Sequence, residues 1–150
     1  MKDWRAYLGS GLIKEVRPNF RQIERQVLRA EKDLQTFELV IETDPEWAST
    51  IVYQAMLRLG RALMFSFGYL PADGQQHKTV IEITGGLLGK KYSLVVKYFD
   101  RMRRSRNAFF YDSLDTGGQA QARKSLGTAE ELLKAVKVKI AEQNPQFGLD

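Results

Sequence analysis

Residues 92–114, YSLVVKYFDRMRRSRNAFFYDSL, decide how the chain folds. Val95, Phe99, Met102, Arg106, Phe110 and Leu114 recur at steps of 4, 3, 4, 4 and 4, the spacing of one apolar stripe on an α-helix. One member of that stripe is an arginine. A guanidinium keeps its charge at any ordinary pH and is very costly to bury unpaired. At Arg106, therefore, the stripe faces a wet cleft, a partner or an anion, and Arg106 becomes the first candidate site residue.

Outward from this helix, the rest of the chain also carries helical spacing. Pro18, with a φ suited to a first helical turn, precedes Phe20, Ile23, Val27, Leu28, Leu34, Leu39 and Ile41, a pattern reaching Glu42. Asp44-Pro45-Glu46 supplies an N-cap, a proline at the first helical position and an acidic first turn. The second helix should run from there through Trp47, Ile51, Tyr53, Met56, Leu57, Leu59, Leu63 and Met64 to a stop at Gly68. It is apolar over a wide arc, which places it in the middle of a bundle. Tyr69 to Gln76, with Pro71 and Asp73-Gly74, reads as a loop. A shorter helix over His77 to Leu88 closes at Gly89, and the fourth covers about 92–114. After Thr116-Gly117-Gly118, a last helix carries Ala120, Ala122, Leu126, Ala129, Leu132, Leu133, Val136 and Ile140 and ends before Pro145. No strand-like alternation of useful length is visible. The expected fold is all-α, an antiparallel bundle of four to five helices in one domain, 1–150, with a core at about 18–143 and short flexible tails.

Composition narrows the function classes. A chain of 150 residues, 43% hydrophobic and 27% charged, suits one globular domain that buries roughly two-thirds of its unfolded surface. It contains no cysteine, which excludes disulfides, thiolate catalysis and Cys-ligated zinc. The apolar stretch Ile51 to Leu70 is broken by Gln54, Arg58 and Arg61, so it reads as a buried helix and no membrane association is expected. Met-Lys-Asp-Trp-Arg at the start carries no apolar h-region, and a cytoplasmic location is the default expectation.

Standard catalytic devices fail in turn. Gly85-Gly86-Leu87-Leu88-Gly89-Lys90-Lys91 lacks the first glycine of a phosphate loop, the Ser/Thr after its lysine and a preceding strand. The sole histidine, His77, has no Glu three positions before it, against a di-iron or di-manganese bundle. No metal site and no cofactor are expected. His77 opens a helix, where it suits a structural role, hydrogen-bonding a neighbour or packing on the loop.

What remains is charge. The net charge is +5, and five cations against one anion fall between Lys97 and Arg106. Such a run is commonly a solvated helix face; arginine beside Asn and Tyr also suits phosphate or nucleic-acid contacts. Arg103, Arg104, Asn107 and Tyr111 stand three or four apart and should project from one side. Arg106 lies ~100° of helix rotation from Asn107, so a guanidinium, an amide and a phenol can converge on one anionic group. An interhelical network or a dimer contact would use the same arrangement.

Several segments together carry a family resemblance: Ala30-Glu31-Lys32-Asp33-Leu34, Tyr53-Gln54-Ala55-Met56-Leu57-Arg58, Ala62-Leu63, His77-Lys78 and Arg106-Asn107 with Tyr111. In this order they resemble the HEPN (higher eukaryotes and prokaryotes nucleotide-binding) superfamily over most of the chain. That resemblance implies a helical bundle that dimerises through the helix bearing an Arg-x4-6-His motif, so that two copies line a basic cleft. Many such proteins are metal-independent endoribonucleases, whose arginine holds the scissile phosphate while the histidine moves a proton in attack by the RNA 2′-hydroxyl. Others are toxins or defence effectors encoded beside a minimal nucleotidyltransferase. On this pattern Arg106 and Tyr111 occupy the catalytic positions, and Lys97, Arg103, Arg104, Arg106 and Asn107 would contact nucleotide or RNA.

The chain departs from the pattern at one place: five residues after Arg106 stands Tyr111, not His. A phenol with a pKa of about 10 is a poor general base at neutral pH. In a second register, Arg104-x4-Phe109-x-Tyr111 follows the family's Arg-x4-His-x-Tyr, whose tyrosine is nucleotidylylated, which makes Tyr111 a possible modification target. The expected function is a dimeric nucleotide- or RNA-binding module, partner of a nucleotidyltransferase in a toxin-antitoxin or defence setting. The alternatives are an active endoribonuclease using Arg106 and Tyr111, and a helical protein-interaction module without nucleotide.

Overall fold

Five α-helices build the described part of the chain: α1 (Phe20–Val40), α2 (Pro45–Ser66), α3 (His77–Leu88), α4 (Ser93–Asp112) and α5 (Gln119–Gln143). The computed structural model describes residues 4–73, 76–112 and 118–146, the side chains of 106–112 excepted. The result is the all-α antiparallel bundle that the spacing predicts. α2 touches all four other helices. Its buried positions, from Ala48 and Val52 to Leu63 and Met64, fall on every side, as a central helix requires.

Local chemistry fixes the helix ends. Asp44 accepts from the Trp47 amide at 3.0 Å, with Pro45 at the first helical position, as the sequence indicates. At α1 the cap is Asn19, which accepts from Gln22 N at 3.1 Å, so Pro18 precedes the cap instead of opening the helix. Gly89, at φ +88°, ends α3, and a single 3-10 turn, Lys90–Tyr92, leads into α4.

The core stripe of α1 is Ile23, Val27, Ala30, Leu34 and Phe37, continued by Ile41. Leu28 and Leu39 belong to the expected pattern but are 55% and 83% exposed, because they lie about 140–160° around the helix from the centre of that stripe. Trp47, expected inside, is 57% exposed in the first turn of α2. One cation that interrupts the apolar run of α2 meets partners on α1: Arg58 donates to Gln26 at 2.6 Å and lies 3.9 Å from Asp33. One turn further, burial and then the neighbouring Arg58 lower the Arg61 pKa, with Tyr53 opposing.

Two glycines explain close approaches. A Cβ on Gly60 would lie 2.7 Å from both Thr84 Oγ1 and Val80 Cγ1, so α2 and α3 meet there nearly backbone to side chain. A Cβ on Gly86 would lie 2.9 Å from the Trp4 Cβ. The Gly85-Gly86 pair thus sits inside α3, where Gly86 receives an indole.

The chain ahead of Pro18 is packed as well. A 3-10 turn, Trp4–Tyr7, lies on α3, where the Tyr7 hydroxyl binds Glu82 and Trp4 meets the Tyr69 ring edge-on at 5.5 Å. β1 (Ile13–Glu15) then pairs antiparallel with β2 (Tyr69–Pro71), matching Ile13 to Pro71 and Glu15 to Tyr69. This corrects the strand-free reading of the sequence and the loop expected over Tyr69 to Gln76. Three-residue strands are too short to print an alternation. The packed region also reaches back to Trp4, beyond the expected start near residue 18.

Candidate nucleic-acid interface

α3 and α4 form a hairpin, and on its outer side they enclose an open groove of about 810 Å³. Five exposed cations line it: Lys78 on α3, Lys90 in the connecting turn, and Lys97, Arg101 and Arg104 on α4. Two carboxylates, Glu82 and Asp100, share the wall. Glu82 is engaged by Tyr7 and lies 3.9 Å from Lys78, while Asp100 accepts from Arg103 at 2.9 Å and lies 3.5 Å from Arg104. Among the described residues no ion pair engages Lys90, Lys97 or Arg101, so the groove keeps an unneutralised positive strip. Leu94, 78% exposed, sits within that strip and gives it an apolar patch.

The expected site residues divide. Lys97 and Arg104 both line the groove. Arg103 does not: its side chain is only 22% exposed and is held against Asp100. Both guanidinium groups meet Asp100, one at each of its oxygens, yet of the two side chains expected on one face only Arg104 lines the groove. Arg106, Asn107 and Tyr111 lie on the last turns of α4, and their side chains fall outside the described residues. So do residues 113–117, on which the expected Gly-rich turn falls.

Lys78, Lys90 and Arg101 were not singled out from the sequence, although a signal exists. Lys90, Leu94, Lys97, Arg101 and Arg104 follow one another at steps of 4, 3, 4 and 3, a basic stripe on the outer face of the helix. The clustering of arginine nearer Arg106 masks it.

The opposite flank of α4 carries a smaller hollow of about 60 Å³, walled by α2, α4 and α5. Tyr98 and Arg101 line both spaces and form the ridge between them. Its polar wall includes Ser49, Thr50, Ser105, Gln121 and Ser125, with Tyr53 and Met102 beside them. The Tyr98 hydroxyl lies 3.1 Å from Ser125 Oγ, and Tyr53, 2% exposed, binds His77 Nδ1 through its hydroxyl at 3.0 Å. His77 thus has the helix-start hydrogen bond expected of it. Among the described residues, no group of three or more His, Cys, Asp or Glu could hold a metal ion, and no helix is long and apolar enough to cross a membrane.

This helical bundle, with its basic groove on α4, belongs to a recognisable class. The HEPN domain family model matches residues 23–139, most of the chain, from within α1 to within α5, and the chain belongs to that family. No curated protein and no solved structure matches it. A nucleotide- or RNA-related role follows at the level of the family.

Proposed function

We infer that the chain is a cytoplasmic RNA- or nucleotide-binding module that works as a homodimer and pairs with a minimal nucleotidyltransferase. The observation that carries this reading is the groove between α3 and α4, in which Lys90, Lys97 and Arg101 stand without carboxylate partners among the described residues. A phosphate backbone supplies the missing charge and releases counterions as it binds. The groove runs along the helix that bears Arg106, so a strand lying in it is led toward the Arg-Asn segment. The interrupted stripe of α4 supports a dimer at that end, with Arg106 of each copy facing a shared cleft.

Binding of single-stranded RNA by the purified chain at low and high salt is the test. The expected result is an affinity that falls steeply with salt and is weakened by Arg106→Ala; no binding at low salt would refute the reading. A parallel incubation in EDTA with wild type, Arg106→Ala and Tyr111→His separates a binding module from a metal-independent endoribonuclease. Cleavage by wild type that Arg106→Ala loses would move the chain to the second class.

A further inference from the structure

We propose that the basic groove between α3 and α4 is also a docking site for a second copy of this chain, which enters it with the acidic corner between its own α1 and α2, Trp47 foremost. The contact is separate from the dimer at the Arg106 end. It rests on the RNA-binding reading only in its consequence, that a docked copy keeps RNA out of the groove.

The corner is marked by charge. From Asp33 to Leu57 the chain holds five carboxylates, Asp33, Glu38, Glu42, Asp44 and Glu46, and no cation, although its net charge is +5. Glu42 and Asp44 are exposed in the turn and Glu46 is half-buried in the first turn of α2; among the described residues none of the three meets a cation. Two large apolar side chains flank the same turn in water: Leu39 is 83% and Trp47 57% exposed. An indole left in water beside unpaired charge has the makeup of an interface anchor, since Trp is enriched among the residues that dominate binding.

The groove is the complement. Lys90, Lys97 and Arg101 stand there without carboxylate partners among the described residues, around a Leu94 that is 78% exposed. Its volume of about 810 Å³ is that of a cleft able to enclose a whole small ligand, which leaves room for an indole and the carboxylates beside it. Seated on Leu94, the indole gains apolar contact and the cation–π attraction of Lys97 and Arg101, while Glu42 and Glu46 of the second copy find opposite charges. Net charge does not forbid the approach. At physiological salt, charges more than about 8 Å apart are largely screened, so two molecules of like net charge meet through the patches that touch. Groove and corner are different surfaces, so the contact is heterologous, and a copy whose groove is filled still offers its corner to a third.

The test uses the full chain without RNA and two variants at exposed positions, each disabling one side. Lys97→Glu reverses a charge in the groove and keeps the corner; Trp47→Ala blunts the corner and keeps the groove. Wild type should self-associate in sedimentation velocity, less at high salt, and either variant alone should lose at least about tenfold in that affinity. Mixed, the two variants should regain it, because one intact corner then meets one intact groove, in a complex that does not grow. Each variant measured against itself sets the level due to the dimer at the Arg106 end. A mixture no tighter than either variant with itself overturns the contact and leaves RNA binding standing. A uridine homopolymer should disperse the wild-type association; association that survives polymer bound to the chain puts the corner outside the groove and overturns the proposal as well. If the mixture associates while the polymer binds nothing at low salt, the contact stands and the RNA reading falls.

Discussion

At the residue scale, the contact between Gly60 and Thr84 sets how closely α2 and α3 approach. A methyl at Gly60 would meet two side-chain atoms at 2.7 Å, neither of them the end of a long flexible chain. Gly60→Ala gains about 1 kcal/mol of helix propensity yet forces an overpacked crossing that costs about 1–3 kcal/mol. A lowered Tm by thermal unfolding is the expected outcome. Thr84 is fully buried, and its hydroxyl has no partner among the described residues. Thr84→Val removes an unsatisfied polar atom at nearly constant shape and should raise stability by up to about 1 kcal/mol in urea titration. Neither residue stands out in the sequence: a glycine inside a helical pattern reads as a weakness until the facing helix is seen.

At the scale of elements, the sequence was most legible where a side chain sets a boundary. The Asp44-Pro45-Glu46 signal placed the start of α2, and Asp44→Ala should cost about 1 kcal/mol, read as a lower midpoint in chemical unfolding. The stripe Val95, Phe99 and Met102 was equally readable and does face the core. Leu28 and Leu39 misled because a leucine in a helical stretch looks like core even when it is out of phase, and the packing of α1 on α2 shows that Ala30 and Phe37 complete the true stripe. The ribbon of β1 and β2 was not legible at all. Its pairing joins residues more than fifty apart, and each strand is too short to carry a period. Trp4→Ala should empty the Gly86 slot and release this segment, so limited proteolysis ought to cut ahead of Pro18 sooner than in wild type.

At the scale of the whole molecule, α4 organises the surface by separating two kinds of space. Its outer flank is a long basic groove and its inner flank a small neutral hollow, with Tyr98 and Arg101 between. Part of the charge of the groove, Lys97 and Arg104, could be read in advance because it lies on α4, whereas Lys78 on α3 and Lys90 in the turn join it only through the fold. The hollow could not, since its wall comes from α2, α4 and α5 and no single stretch of sequence brings Ser49, Ser105 and Gln121 together. If Lys97 meets one phosphate, Lys97→Ala should reduce the slope of log affinity against log salt by about 0.7 for a single strand, measured by titration at several salt concentrations.

The N-terminal segment adds an ordering in time. Trp4 is made early, but the glycine that admits it is residue 86 and the strand that pairs with β1 ends at Pro71. At ~5–20 residues per second, synthesis of the intervening chain takes about 4–16 s. Through that interval α1 and α2 can close on each other while the indole lacks its seat on Gly86. Its docking therefore marks the arrival of α3, and a chain interrupted before that helix would be left displaying an aromatic side chain that the finished bundle covers.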